Sequence, residues 1–164
     1  LYLWRTNQPH VAEIGLVPGT EHFRNVQRHE VKVSAKILGI RIDESLYFAN
    51  IRRLEDHIYD AALQRPQTEH VILMGTAINH LDASAIDGLL SLNQRLADAG
   101  ITLHFSEIKG PVMDQMKRAD LPKQLSGKIY LTHYLAMQDL APECIDRLDR
   151  ESEEDLQPPH TPVS

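Results

Sequence analysis

The stretch NHLDASAIDGLLSL, Asn79 to Leu92, contains the transition that decides the fold. It follows HVILMG at residues 70–75, a continuous apolar run whose length predicts a strand buried on both faces. From Asp82 onward, apolar residues recur at the spacing of a helix that packs one face on a core. A buried strand followed directly by an amphipathic helix is typical of an α/β domain.

The start of this helix has two candidate caps. Asp82 could accept hydrogen bonds from the free N–H groups of the first turn, or Ser84 could do so together with Asp87 in a variant of the capping box. A helix N terminus carries positive partial charge, so it would tolerate an added phosphate, whose charge would change what docks there. Gly100 is placed to end the helix, whose predicted inner face contains Ile86, Leu89, Leu90, Asn93, Leu96 and Ala97.

Two strands are predicted before this transition. Residues 10–17 contain enough β-branched side chains for a strand, and a polar connection with a short extended piece follows. Residues 37–43 alternate, with Leu38, Ile40 and Ile42 on one face. This alternation is the pattern of a half-buried strand.

Helix boundaries are predicted from caps and prolines. Asn50 is expected to cap a helix that ends near Leu63, before Pro66. Pro111 suits the first turn of a later helix, and Pro142 is expected to interrupt the terminal helix. The predicted inner faces comprise Ile51, Leu54, Ile58, Ala61 and Ala62 in the first of these helices, and Val112, Met113, Met116 and Leu121 in the second. The remaining strands are predicted at residues 101–105 and 128–132.

Composition limits the class of protein. The 164 residues support one compact domain, and the formal charge of −6 argues against nucleic acid as a partner. Cys144 is the single cysteine, so no internal disulfide forms and a reducing compartment fits. No segment of the chain reaches the run of about 20 apolar residues that spans a bilayer.

The sequence lacks the common patterns of catalytic and metal sites. The nine histidines are scattered without metal-ligand spacing, which predicts surface histidines and no metal site. The SGK at Ser126–Lys128 lacks the preceding glycine of a phosphate loop, because Pro122 stands there. No nucleophile elbow surrounds Ser84, although a Ser-His-Asp triad is not excluded by sequence. We therefore expect no enzyme activity and no cofactor; a small hydrolase or nucleotide-binding enzyme would need a convergent polar cluster.

Two further stretches, taken with the turn, resemble a known family. VPGTEHFRNVQRH at Val17–His29 and RIDESLYFANIRRLED at Arg41–Asp56 are similar to the STAS domains at the cytoplasmic ends of SulP-type anion transporters. Asp82-Ala83-Ser84-Ala85 resembles the Asp-Ser-Ser-Gly or Asp-Ser-Thr-Gly turn of anti-sigma-factor antagonists, which share this domain. The resemblance covers about Pro9 to Leu140, and LYFAN is its most specific part. It implies a STAS-like α/β fold with a central mixed sheet and about four helices.

The resemblance carries roles over to individual residues of the turn. Asp82 takes the place of the motif's aspartate, and Ala83 the place of the serine that is phosphorylated in the antagonists. Ser84 matches the second hydroxyl residue, and Ala85 matches the glycine. Because Ala83 lacks a hydroxyl, a simple phosphorylation switch is not expected, and Ser84 is interpreted as a helix cap. Together with Asp87, these four residues form the predicted regulatory or interaction turn.

The resemblance also implies a function. It points to a cytoplasmic domain that supports assembly and regulation of a bacterial SulP-type secondary anion transporter of the sulfate, bicarbonate or carboxylate class. The expected partners are the transmembrane domain of the same transporter, a second copy of the domain, and a regulatory protein at the turn. The expected location is the cytoplasmic face of the bacterial inner membrane, with the isolated fragment soluble. The alternative is a free-standing antagonist-like signalling protein that binds a kinase-like partner.

Three regions are predicted along the chain. Residues 1–9 are expected to be a linker after a membrane helix that the chain lacks, since Tyr2, Trp4 and Arg5 suit a cytoplasmic membrane interface. Residues 10–148 form the predicted STAS domain. Residues 149–164 are acidic and then proline-rich, a composition that predicts a disordered tail.

Overall fold

The computed structural model describes residues 11–16, 23–25, 34–43, 48–143 and 145. The predicted linker at residues 1–9 and the predicted tail at 149–164 lie outside these residues. No helix within the described part is long and apolar enough to cross a membrane. The elements in chain order are β1 (Val11–Leu16), β2 (Phe23–Asn25), β3 (Ile37–Ile42), α1 (Phe48–Leu63), β4 (His70–Met74), α2 (Ala83–Asp98), β5 (Thr102–Ser106), α3 (Gly110–Arg118), α4 (Leu121–Gln124), β6 (Ile129–Tyr130) and α5 (His133–Leu140).

The six strands form one mixed sheet in the order β2-β1-β3-β4-β5-β6. β1 is antiparallel to β2 and β3, whereas β3, β4, β5 and β6 run parallel. Parallel neighbours need crossover connections, and helices supply them here. The predicted α/β fold with a central mixed sheet is confirmed, with five helices in the described residues where about four were expected.

The parallel strands of the sheet end together on one side. The register pairs Ala12 with Arg41, Arg41 with Met74, Met74 with Ser106 and Ser106 with Tyr130. These residues lie in a row across five strands. The parallel strands end just beyond this row, and β1 begins there. We call this side of the sheet the carboxyl edge; α1, α2, α3 and α5 all begin after strands that end on it.

Helices cover both faces of the sheet. One core cluster joins Leu38, Leu73 and Phe105 to the inner faces of α1, α2 and α3. The other joins Ile37 and Ile72 to residues of α5 and the turn after it. The half-buried prediction for β3 is therefore wrong: Ile37 is 3% exposed and Leu38 2%. The alternation could not show this, because the second cover comes from a helix far later in the chain.

Helix boundaries agree with the prolines better than with the predicted cap. α1 begins at Phe48, so Asn50 is its third residue and the prediction of an Asn50 cap is wrong. Pro111 lies in the first turn of α3, as predicted. Ala141, directly before Pro142, leaves the helical region with φ −144° and ends α5, which confirms the predicted interruption. The predicted inner residue Leu121 is buried, but in α4, after the left-handed Asp120 at φ +61° breaks the chain of helical residues.

The inner face of α2 is largely as predicted. Leu89 and Leu96 are buried in the core, whereas Ala97 is exposed and Leu92 is buried in addition. Gly100 has φ +76°, the left-handed conformation that favours glycine just beyond a helix end.

Asn93 is the polar residue of this inner face, and a hydrogen-bond network explains it. Its Oδ1 accepts hydrogen bonds from the Ser126 N–H at 3.0 Å and the Ser126 hydroxyl at 2.9 Å. Its Nδ2 donates to the Gln124 carbonyl at 3.2 Å. Ser126 Oγ in turn accepts the Leu103 N–H at 3.1 Å. The network ties α2 to β5 and to the connection that enters β6.

The SGK stretch thus has a structural role in place of phosphate binding. A Cβ at Gly127 would lie 2.3 Å from the Leu103 carbonyl oxygen and 2.4 Å from His104 Nδ1, so a side chain has no space there. The close approach lets the Lys128 N–H donate to His104 Nδ1 at 3.0 Å. With Nδ1 acting as an acceptor, neutral His104 carries its proton on Nε2, which donates to His70 Nδ1 at 3.0 Å.

The prediction of surface histidines is wrong for two of the five histidines that the structure describes. His104 of β5 is 3% exposed and His133 of α5 is 1% exposed, and both lie between the sheet and α5. His133 Nδ1 lies 2.8 Å from Ser106 Oγ, and Phe23 packs against its ring edge-on. Each buried ring has a polar partner, which is the usual condition for burying such a group.

Acidification below pH 6.5 is expected to destabilise this fold. Burial lowers the pKa of His104 and of His133 from 6.5 to about 4, and the nearby His70 adds to the effect at His104. Between these pH values the unfolded chain binds protons that the folded chain does not bind. The contribution of the two neutral histidines to the free energy of unfolding is therefore fully present above pH 6.5 and is lost as the pH falls towards 4. At about 1.4 kcal/mol per pKa unit, each histidine accounts for a loss of up to about 3 kcal/mol. Urea unfolding at a series of pH values measures this loss.

Single substitutions distinguish the contribution of the two histidines to the pH dependence of stability from that of the carboxylates. His133→Asn and His104→Gln each remove one titrating ring, so the free energy of unfolding should depend less steeply on pH in this range. His57→Asn on α1 is the matched control, because it replaces a histidine that belongs to neither buried contact. A His133→Asn variant with an unchanged slope would contradict the assignment.

Candidate functional site

The predicted regulatory turn begins α2 at the carboxyl edge. Asp82 is the N-cap, with extended backbone (φ −85°, ψ 172°), and its Oδ1 accepts the Ala85 N–H at 2.7 Å. The interpretation of Ser84 as the cap is therefore wrong, and so is the capping-box variant with Asp87. Ser84 is the second residue of the helix, so its backbone is already helical and lies beyond the position from which a side chain caps.

The five predicted residues differ in their access to solvent. Ala83 and Asp87 are exposed, while Asp82 and Ser84 are half-buried. Ala85 is fully buried and belongs to the main core cluster. The structure thus brings Asp82, Ala83, Ser84 and Asp87 together at the surface and places Ala85 beneath them, where it supports packing.

The connection that leads into the turn is fastened to α3. Gln115 Oε1 accepts the Leu81 N–H at 3.0 Å, and its Nε2 lies 3.1 Å from His80 Nδ1. At the start of α3, the Lys109 ammonium donates to Asn79 Oδ1. The turn is therefore fixed by hydrogen bonds to both α2 and α3, and it presents a defined surface.

A groove between α1 and α2 adjoins the turn. It has a volume of about 750 Å³ and is lined by Ile51, Arg52, Arg53, Glu55, Asp56, Ser84, Asp87, Gly88 and Ser91. A Cβ at Gly88 would lie 2.2 Å from Ile51 Cγ1, so glycine allows the two helices to approach closely at this point. Sequence reasoning identified two of the lining residues, Ser84 and Asp87, but not the groove, because its other wall comes from α1.

Ion pairs strengthen the contact between α1 and α2 near this groove. Arg95 donates to Glu55 at 3.2 Å and to Asp56 at 2.9 Å, and its guanidinium lies 4.2 Å from the ring centroid of Tyr59. Ser91 Oγ donates to the same Glu55 carboxylate at 2.7 Å. The groove rim consequently combines positive and negative charge.

Outside the turn and the groove, one pair of side chains has the residue types of a catalytic site. Ser106 and His133 form a serine–histidine pair, but Ser106 is 0% exposed and His133 1%, so a substrate has no access to the hydroxyl. Glu107 accepts the His133 backbone N–H at 2.9 Å, so it holds the start of α5 and does not orient the ring. Among the described residues, no group of three or more His, Cys, Asp or Glu side chains could hold a metal ion.

The cap assignment predicts unequal costs for two neighbouring substitutions. Asp82→Ala removes the acceptor of the Ala85 N–H and should cost about 0.5–2 kcal/mol of stability, whereas Asp82→Asn should retain most of it. Ser84→Ala should change stability by no more than about 0.5 kcal/mol, because it removes no cap. Urea unfolding of the three variants measures the difference. An equal loss for Ser84→Ala and Asp82→Ala would return the cap to Ser84.

Comparison with curated proteins relates the chain to transporters. It is 29% identical over 153 residues to the probable sulfate transporter 4.2 of Arabidopsis thaliana, which covers 87% of this chain and 22% of that protein. It is also 29% identical over 144 residues to the high affinity sulfate transporter 1 of Stylosanthes hamata, which covers 79% and 21%. The chain therefore spans less than a quarter of the length of these relatives.

Solved structures share the fold. The murine Slc26a9 anion transporter matches with a TM-score of 0.70 and 14% identity, over 83% of this chain and 23% of that one. The STAS domain of a SulP transporter from Vibrio cholerae matches with a TM-score of 0.52 and 14% identity, over 80% and 94%. A putative anti-sigma factor antagonist from Thermotoga maritima matches with a TM-score of 0.59 and 15% identity, over 66% and 91%.

A family model assigns the chain directly. The model of the STAS domain matches residues 28–136, which is more than half of the sequence. The matched region contains β3 to β6, the turn at Asp82 and both walls of the groove. The chain belongs to the STAS domain family, and its similarity extends to the sulfate and anion transporters that carry this domain.

Proposed function

We propose that this chain is the regulatory and assembly domain of a bacterial SulP-type secondary anion transporter. The observation that carries the proposal is the match to sulfate transporters along 87% of this chain but only 22% of the relative. A domain that accounts for so small a share of a transporter has a supporting role beside the anion pathway. The relatives favour sulfate within the sulfate, bicarbonate and carboxylate class. The domain would act at the cytoplasmic face of the inner membrane and without catalysis of its own.

The first partner would be the membrane part of the same transporter. β1 begins at Val11 on the carboxyl edge, so a membrane segment that precedes the domain would approach this edge. The turn at Asp82 and the start of α3 lie on the same edge. Movement or modification at the turn would therefore act close to the junction with the membrane part. A second copy of the domain is the other partner that this assembly role includes.

A regulatory protein would bind the turn and the groove together. Ser84 and Asp87 line both, and the groove continues from them towards Ser91. Ile51 supplies apolar contact, while Arg52 offers a cationic group to the carboxylates of a peptide. The Ala83 position is exposed beside them. Charge placed at residue 83 would thus alter what this surface binds.

The test is anion uptake by the full-length transporter that carries Ala83→Asp. The added carboxylate lies near the positive end of α2, so the domain should remain folded and gain about 0.3–1 kcal/mol. Uptake should change, because the charge alters the binding surface. Ala83→Asn adds a side chain of the same size without the charge, so it is the matched control and should leave both uptake and unfolding temperature near those of the wild type.

Two measurements make this test decisive. Thermal unfolding of the isolated chain establishes that each variant folds, and surface labelling establishes that each transporter reaches the membrane. Leu89→Asp buries an unpaired charge against the sheet and should unfold the domain. Uptake by this variant shows the effect of an unfolded domain, with which Ala83→Asp is compared. Unchanged uptake by a folded, inserted Ala83→Asp transporter would overturn the regulatory role of the turn.

The transporter assignment predicts the coding sequence upstream of Leu1. That reading frame should encode a series of apolar segments, each of about 20 residues. A reading frame that starts close to Leu1 would instead favour the free-standing antagonist. The similarity to the Thermotoga maritima protein over 91% of its length supports that alternative, whereas the missing hydroxyl at Ala83 counts against it.

A further inference from the structure

Three groups form a row of hydrogen bonds that links β4, β5 and the connection into β6. The Lys128 N–H donates to His104 Nδ1 at 3.0 Å, and His104 Nε2 lies 3.0 Å from His70 Nδ1. A backbone N–H is always a donor, so Nδ1 of His104 carries no proton, and the proton of the neutral ring is on Nε2. His70 Nδ1 is therefore the acceptor at the end of the row. We call these three groups the histidine latch.

The latch has no free position for an added proton. Protonation of His70 places a hydrogen on Nδ1, directly opposite the Nε2–H of His104, so the two rings have to separate. His104 cannot respond by changing its tautomer, because a proton on its Nδ1 would face the Lys128 N–H. Its Nε2–H would then lack an acceptor in a ring that is 3% exposed, which is an unfavourable state for a buried donor. The latch is therefore closed only while both rings are neutral.

His70 is the ring of the latch that solvent reaches. It is half-buried at the start of β4, whereas His104 is buried. Burial lowers the pKa of His70 from 6.5, Glu69 opposes this shift, and Lys36 adds to it. A ring with a lowered pKa binds its proton less readily in the closed form than in the open form. The closed form is therefore favoured above pH 6.5 and loses this advantage as the pH falls.

Charged groups from β6 and α5 face the other ring of the latch. Burial and the nearby His70 lower the pKa of His104 to about 4. Asp139 of α5 opposes this shift, and the Lys128 ammonium adds to it. The ring of Tyr130 lies 5.7 Å from that of His104 between centroids. Because His104 is both buried and harder to protonate, proton uptake by the latch begins at His70.

β6 has few other attachments to the sheet. It consists of two residues, Ile129 and Tyr130, which pair with β5 on one side. The Phe105 N–H donates to the Lys128 carbonyl at 3.0 Å. The Tyr130 hydroxyl donates to Asp139 of α5, and the Lys128 ammonium lies 3.7 Å from the same exposed carboxylate. Exposed ion pairs contribute little to stability, so the position of β6 depends strongly on the latch.

We propose that the histidine latch makes the attachment of β6 to the sheet sensitive to pH. Proton uptake by His70 opens the latch, and residues 127–130 separate from β5 while β3, β4 and β5 remain paired. Ser126 is bound to Asn93 and Leu103 independently of the latch, so the released segment begins after it. The backbone groups of β5 that pair with β6 become free for another strand. This inference does not depend on the transporter assignment.

Hydrogen exchange of single amides, followed by NMR in the 164-residue protein, tests the proposal. The reporters are the N–H of Lys128 in the latch and the N–H of Phe105, which donates to the Lys128 carbonyl. Their protection is measured relative to an unstructured peptide at the same pH, because intrinsic exchange itself depends on pH. From about pH 7.5 to about pH 5.5 it should fall by up to about tenfold per pH unit for each proton bound on opening. The amides of Ile72 and Leu73 in β4 should keep their protection.

Two substitutions of His70 should act in opposite directions. His70→Asn keeps an acceptor oxygen near the place of Nδ1 and has no titrating group, so both reporters should stay protected at the lower pH. His70→Ala removes the acceptor, so both reporters should lose protection already at the higher pH. His57→Asn on α1 is the matched control, because His57 belongs to no contact of the latch. It should reproduce the wild-type protection at each pH.

Three results would overturn the proposal. The first is an equal loss of protection in β4 and β6, which would mean that acid unfolds the domain as a whole. The second is the same loss in His70→Asn as in the wild type, which would assign the effect to another group such as His133. The third is a pair of reporters that stay protected at the lower pH in the wild type or in a folded His70→Ala protein.

Discussion

Burial of β4 on both faces is the constraint on which the rest of the structure depends. Val71, Ile72 and Leu73 are each 0% exposed, with alternate side chains in the two core clusters. A strand in this position needs hydrogen-bonded neighbours on both sides and helices above and below. Parallel pairing with β3 and β5 meets the first need, and the crossover helices with α5 meet the second. The alternation of strand and helix is the consequence.

The same arrangement determines where the helix N termini lie. Parallel strands end together, so the helices that follow them begin together, and their N termini gather on the carboxyl edge. This edge holds the Asp82 turn, the fastening of that turn to α3 by Gln115, and the point where β1 begins. The chain belongs to the STAS domain family, and the solved structures that share its fold include an anion transporter and a putative anti-sigma factor antagonist.

Polar groups within the core position the less regular parts of the fold. Asn93 links α2 to Ser126, and His104 receives the Lys128 N–H, so both hold the connection into β6. His133 contacts Ser106 where α5 crosses the sheet. Each interaction replaces solvent by a specific hydrogen-bond partner, which gives the short strand β6 and helix α5 defined positions against the sheet. As a consequence, protonation of the His104 or His133 ring destabilises the fold.

The sequence by itself determined the features that depend on neighbours close in the chain. A continuous apolar run located the buried strand at residues 70–74, and helical periodicity located most of the inner face of α2. Pro111 and Pro142 marked helix boundaries by their fixed backbone geometry. Only the tertiary structure decided the rest: that β3 is covered on both faces, that His104 and His133 are buried, and that α1 forms the second wall of the groove. The backbone conformation also decided that Asp82 and not Ser84 is the cap, because the cap is the residue directly before the first helical residue. The local pattern of apolar residues shows which side chains avoid water. The side chains that bury them belong to elements distant in the sequence, so only the tertiary structure identifies them.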